Sequence, residues 1–149
     1  MQDFSLPSTG NSTFRFADAR DKKLLVYFYP KDDTPGCTVE GSDFRDLHDQ
    51  FSQLGVRIVG VSRDSIESHE KFKAKLNLPF ELLSDSDETV CKLFDVIKPK
   101  MSYGKEVLGV QRSTFLFDES GKLMQEWRGI SSAGHAQNVL DTVKSLSEK

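Results

Sequence analysis

The sequence predicts an α/β domain in which a mixed β-sheet is flanked by helices. Three observations lead there. Apolar strand-like runs alternate with amphipathic helical segments, a two-strand hairpin follows the last of these units, and one more helix comes after it. The 149 residues suit one domain spanning 1–149, since no repeat, low-complexity tract or linker divides them. Hydrophobic residues at 37% and charged residues at 29% supply the core of an ordinary globular protein rather than a disordered chain.

The elements follow in order. Phe4-Ser5-Leu6 and residues 13–16 flank the turn Ser8-Thr9-Gly10-Asn11 as a short N-terminal hairpin. Residues 23–29 form a continuous apolar and aromatic run, which suits a strand buried on both faces, and Pro30 ends it. After the loop KDDTPG, Phe44, Leu47, Phe51 and Leu54 recur at helical spacing and Gly55 closes the helix. Residues 56–62 are the next strand. Asp64-Ser65-Ile66-Glu67 reads as a capping box opening a helix with Ile66, His69, Phe72 and Leu76 on one side. A short strand at 80–83 and a short helix at 87–95, carrying Val90, Cys91 and Phe94, precede a polar, irregular stretch at 98–109. Strands at 113–117 and 122–127 flank the turn Asp118-Glu119-Ser120-Gly121, and Val139, Leu140, Val143 and Leu146 make the apolar face of the last helix. Strand–helix–strand followed by hairpin–helix, with a strand and a helix inserted, is a thioredoxin-like arrangement. Chemistry in open α/β sheets gathers at the carboxyl ends of strands, where residues 30–37 lie.

Composition narrows the function. The net charge of −3 comes with Lys and Arg scattered among acids, so no basic stripe is available to neutralise nucleic-acid phosphates. The run LLVYFY is too short to span a bilayer, and MQDFSLPSTG lacks the basic start and apolar stretch of a signal peptide; the expected location is the cytoplasm. Cys37, Cys91, His48, His69 and His135 are dispersed without a close ligand pair, so neither a metal nor another cofactor is expected. His48 and His69 read as helix-surface residues and His135 as an ordinary first-turn residue. Two cysteines make no disulfide framework, so each is a buried small hydrophobe or a reactive thiol.

Local chemistry favours the reactive reading for Cys37. Thr34 suits an N-cap and Pro35 the first helical position, where its missing N–H is no loss. Cys37 then falls in the first helical turn, where unpaired backbone N–H groups and the positive end of the helix dipole favour the thiolate, which is the nucleophile. Gly36 keeps the approach to the sulfur open, and Lys31, Asp32, Asp33 and Thr34 read as a solvated loop rather than a core.

Pro30-x-x-x-Thr34-x-x-Cys37 matches the PxxxTxxC signature of peroxiredoxins. The longer FYPKDDTPGCTVE, with VGVSRDS, LLSD and RSTFLFD in the same order downstream, resembles the bacterioferritin comigratory protein, or peroxiredoxin Q, subfamily. The resemblance covers most of the chain and implies a thiol-dependent peroxidase of antioxidant defence, acting on hydrogen peroxide and organic hydroperoxides. Cys37 would attack the terminal peroxide oxygen and become a sulfenic acid. Thr34 would position thiolate and peroxide, Pro30 would shield the sulfur from water, and Arg112 would stabilise the thiolate and the charge developing on the leaving oxygen. Glu40, one turn after Cys37, would hold Arg112.

The chain departs from the subfamily where a second thiol resolves the sulfenic acid, since the two usual positions hold Ser42 and Lys73. Cys91 is the remaining internal candidate, against its reading as a buried structural thiol, and a disulfide would need the two Cα atoms within about 7 Å. The alternative is a one-cysteine cycle in which thioredoxin, glutaredoxin or glutathione reduces Cys37. A monomer is expected, with a weak dimer as the alternative. Two rival functions use similar parts. A dithiol oxidoreductase would need C-x-x-C, but Thr38-Val39-Glu40 follows Cys37, and it would need a proline where Val110-Gln111-Arg112-Ser113 stands. A redox sensor would share the site but not turn over.

Overall fold

The structure, a computed structural model, describes residues 3–19 and 21–147. The chain opens with the hairpin of β1 (Ser5–Ser8) and β2 (Ser12–Arg15) and then enters β3 (Lys23–Phe28). Helix α1 (Pro35–Gln53), β4 (Val56–Ser62), α2 (Ile66–Leu76), β5 (Glu81–Ser84) and the short α3 (Thr89–Leu93) follow. The last third holds β6 (Ile97–Ser102), β7 (Lys105–Val110), β8 (Ser113–Phe117), β9 (Leu123–Arg128) and α4 (His135–Ser147). Seven of the strands pair in the order β2-β1-β5-β4-β3-β8-β9. The β5-β4-β3 portion is parallel, and β8 joins β3 antiparallel with Phe28 opposite Ser113. The mixed sheet and its helices form the thioredoxin-like fold the element order predicts.

Alternation along β3 divides the core in two. Leu24, Val26 and Phe28 enter one cluster, while Leu25 and Tyr27 enter the other with Tyr29 just beyond the strand. The buried hydrophobic residues of α1, α2 and α4 all belong to the second cluster. Of the described α-helices only α3 serves the first face, joined there by Phe4, Leu6, Phe14 and Phe16 of the N-terminal segment. Aromatic rings therefore do on this face what helices do on the other. Phe4 stacks on Phe16 at 5.2 Å, and Phe94 meets Phe28 and Phe115 at 4.9 and 4.8 Å. All eleven phenylalanines are buried, each contributing roughly 1.5–3 kcal/mol by leaving water.

Two local readings change. Residues 98–109 are not irregular: β6 and β7 pair as a separate two-stranded sheet, turned at Tyr103 and Gly104, both with positive φ. Only the base of the hairpin, Ile97 and Val110, reaches the core, while Met101 and Leu108 are exposed, so most of its length lacks the apolar alternation that burial imposes. The α2 cap is Ser65, whose hydroxyl accepts from the Ser68 amide, while Asp64 turns away to accept from the Asp32 amide.

Gly60 is where β4 passes beneath an aromatic ring. A Cβ there would lie 2.8 Å from Tyr27 Cζ and 2.9 Å from Leu82 Cδ2, both inside the core. We predict that Gly60→Ala destabilises the fold by about 1–3 kcal/mol, as overpacking does. Urea unfolding should show a lower midpoint at unchanged slope; an unchanged midpoint would contradict the packing.

Candidate active site

Helix α1 starts at Pro35 with Thr34 as an extended N-cap residue, so Cys37 lies in its first turn. The Thr34 hydroxyl does not cap the helix. It donates to the Lys31 carbonyl at 2.8 Å, and Asp33 beside it takes the left-handed conformation. The loop is also less solvated than its composition suggests: Asp32 is buried, and Cys37 is only 2% exposed. Asp32 can be buried because its amide and carboxylate both find partners inside the protein.

The register of β8 against β3 sets Arg112 beside this turn. Its Nη2 donates toward Cys37 Sγ at 3.4 Å and its Nη1 to Glu40 Oε1 at 2.6 Å. Among the described residues, Arg112 is the only group hydrogen-bonded to that sulfur. Gly36 permits the approach, because a Cβ there would lie 3.1 Å from Nη2 and 3.4 Å from Ser132 Oγ. Cys37, Arg112 and Glu40 thus form one connected group. Thr34 and the half-buried Pro30 stand in the loop leading into it, without a hydrogen bond to the sulfur. Cys91 is elsewhere. It belongs to the cluster on the opposite face of the sheet, fully buried, with its amide donating to Asp85 Oδ2 at 2.6 Å. Burial, with Asp85 alongside, holds its thiol far above the ordinary range.

The electrostatics depend on one cation. Glu40 is fully buried and its Oε2 has no hydrogen-bond partner. Burial pushes its carboxyl up to about 7, against the opposing pull of Arg112. His135, at the start of α4, is not an ordinary first-turn residue. It is buried, with Nε2 2.7 Å from Thr114 Oγ1, and its ring packs edge-on to Phe44 and Trp127. Burial first and Arg112 second push it down to about 4, so it is a neutral imidazole at pH 7 and does not compete with Arg112 for anions. His48 is half-buried beside Phe80. His69 is fully buried and hydrogen-bonded to Asp32, not on the helix surface. Its place among Ile66, Phe72 and Leu76 on one side of α2 was the sequence signal for that burial.

A single thiol under a guanidinium, with no neighbouring thiol to exchange with, differs from a dithiol site on the same scaffold. Fold and site together define a thiol-dependent peroxidase of the peroxiredoxin class. The chain belongs to the AhpC/TSA family, whose sequence model matches residues 1–126. It is 48% identical over 147 residues to peroxiredoxin Bcp of Bacillus subtilis, covering 99% of this chain and 94% of that one. The Xanthomonas campestris peroxiredoxin Bcp is 54% identical over 126 residues, covering 85% and 79%. Among solved structures, the X. campestris bacterioferritin comigratory protein, studied for its alkyl peroxide reduction activity, superposes with a TM-score of 0.92. That pair is 46% identical, over 97% of this chain and 92% of that one.

The raised Glu40 carboxyl has a measurable consequence. An ordinary glutamate titrates near 4.5, so between there and about 7 the folded protein keeps a proton that the unfolded chain has released. Stability from this group is therefore full below about 4.5 and is lost as pH rises through about 7. We predict that Glu40→Gln gains stability relative to the parent across this window, by at most about 3 kcal/mol, since one pKa unit is about 1.4 kcal/mol. Unfolding measured on either side of the window checks this. A constant difference between the two proteins would show that Glu40 ionises like an exposed carboxyl.

Proposed function

We propose that Cys37 is the peroxidatic nucleophile of a one-cysteine hydroperoxide reductase whose oxidised form is recycled by an external thiol. The observation that carries this reading is the Arg112 guanidinium, 3.4 Å from Cys37 Sγ and held at its other nitrogen by Glu40. In the first half-reaction the Cys37 thiolate attacks the terminal oxygen of a hydroperoxide. A sulfur–oxygen bond forms as the O–O bond breaks, giving Cys37 sulfenic acid and, after one proton is taken up, an alcohol or water. Negative charge passes from sulfur to the leaving oxygen. A guanidinium with donors to spare follows that charge more effectively than a point cation, so its pull is strongest in the transition state. Glu40 fixes its plane. The Thr34 hydroxyl spends its proton on Lys31, so its oxygen is left to accept from the peroxide O–H. Pro30 walls the sulfur from water.

In the second half-reaction one external thiol displaces the sulfenic hydroxyl as water, giving a mixed disulfide. A second thiol then releases reduced Cys37 as the external pair becomes a disulfide. Thioredoxin, glutaredoxin or glutathione supplies this chemistry. Internal resolution by Cys91 is disfavoured because the two buried sulfurs belong to core clusters on opposite faces of the sheet. Ser42 lies on α1, and Lys73 on α2 is ion-paired with Glu81 at 2.7 Å; neither is a thiol. The alkyl peroxide reduction activity of the X. campestris relative supports organic hydroperoxides as substrates beside hydrogen peroxide. A reducing compartment such as the cytoplasm would provide the recycling thiol. No described helix is long and apolar enough to cross a membrane. We take the working unit to be the monomer, since Cys37, Arg112 and Glu40 already meet within one chain.

Cys37→Ser should abolish hydroperoxide reduction with the fold intact, and peroxidase activity retained in that variant would overturn the assignment. Arg112→Ala should slow Cys37 oxidation by roughly 10²–10³-fold, the usual loss on removing a transition-state donor. Cys91→Ala should sustain multiple turnovers with glutathione or dithiothreitol. A single turnover there, with many in the parent, would restore Cys91 as the resolving thiol.

A further inference from the structure

The loop before Cys37 is tied down by a buried group that the peroxide chemistry leaves unused. The Asp32 carboxylate accepts from Tyr29 Oη at 2.5 Å and Ser68 Oγ at 2.8 Å, and lies 2.6 Å from His69 Nδ1. Its amide donates to Asp64 Oδ2 at 2.8 Å, an oxygen that also accepts from Ser62 Oγ at 2.6 Å. Asp32 is 6% exposed and His69 not at all. The other ring nitrogen of His69 is 2.9 Å from the Leu83 carbonyl, which can only accept, so Nε2 carries a proton. Nδ1 faces the Asp32 carboxylate, with Tyr29 Oη 3.4 Å away. Burial keeps the Tyr29 phenol protonated, which makes it a donor here. The next residue, Asp33, pairs with Lys75 at 2.6 Å, but both are exposed and that pair contributes little.

We infer that Asp32 and His69 are positioning residues for Cys37, a buried hydrogen-bonded latch that fastens the loop to α2 and holds the sulfur in its peroxide-reactive place. Ser68, His69 and Lys75, the partners of two consecutive loop residues, all lie on α2. A cation site is the competing reading, since donor atoms of Asp32, Asp64 and His69 lie within 4.8 Å of one another. The contacts on these donor atoms favour a hydrogen-bonded cluster over an ion: the carboxylates accept from Tyr29, Ser68, Ser62 and the Asp32 amide, and both His69 nitrogens are engaged.

The latch acts oppositely on the two half-reactions. Cys37 is 2% exposed, so a small peroxide must reach it with the first turn closed around Arg112, whereas a bulkier thiol needs that turn to move. Closing favours oxidation, and opening favours recycling. This rests on the peroxidatic role proposed for Cys37.

The test measures the two halves separately in the full chain. Asp32→Asn should lower the second-order rate of Cys37 oxidation by hydrogen peroxide by roughly a hundredfold, as displacement of a reacting group by about 1 Å does. Reduction of preformed Cys37 sulfenic acid by dithiothreitol should be faster in the same variant. Ser68→Ala removes one tether and should shift both rates the same ways by less; it carries the test if Asp32→Asn does not fold. Rates that both stay at parental values, or fall together in step with a loss of thermal stability, would overturn the latch. Absence of Cys37 sulfenic acid in the parent itself would sink the peroxidatic reading instead, and the latch with it.

Discussion

A buried sulfur and a buried carboxylate share one guanidinium, and the site depends on that sharing. Glu40 without Arg112 would be an uncompensated acid in the core, and Arg112 without Glu40 would be free to swing away from Cys37. The planar fork of an arginine can hold both partners at once, at 2.6 and 3.4 Å, which a lysine ammonium on a flexible stem does less well. Several otherwise unrelated features serve this contact. The pairing of Phe28 with Ser113 sets Arg112 next to the end of β3, α1 turns Glu40 and Cys37 to the same side, and Gly36 leaves the space a Cβ would take. His135, close enough to feel the charge of Arg112, is neutral and adds no second charge.

The sheet separates this chemistry from the other thiol. Cys37, on α1, belongs to the cluster beneath α1, α2 and α4, and Cys91, on α3, lies on the opposite face among phenylalanines. The sheet lies between the two cysteines, and the external recycling proposed for Cys37 does not require them to meet. On the reactive face, the same α2 that carries Lys73 holds the loop through Ser68 and His69.

Much of this was legible in the residues. Strands β4 and β8 have the bounds their apolar runs indicate, α1 begins at Pro35, and Cys37, Arg112 and Glu40 meet as the peroxiredoxin-like motif implies. What stayed hidden were buried polar groups. Asp32 and His69 read as solvated, and His135 as an ordinary first-turn residue, because polarity is ordinarily a sign of exposure. Each is buried only because a partner distant in sequence satisfies it: His69 for Asp32, the Leu83 carbonyl for His69, Thr114 for His135. No periodicity reports such pairs. The β6–β7 hairpin was hidden for the opposite reason, since strands that bury little carry little alternation. Nor did element order reveal that three of the four described α-helices share one face, because the other is closed by rings from a segment with no helical pattern of its own.

The central claim is that one sulfur, Cys37, takes the oxygen and waits for an outside thiol. Mass spectrometry of the reduced protein after one equivalent of hydrogen peroxide, with dimedone present, tests it most directly. The account predicts a dimedone adduct on Cys37 and an unmodified Cys91. A Cys37–Cys91 disulfide, or an adduct on Cys91 with Cys37 untouched, would contradict it.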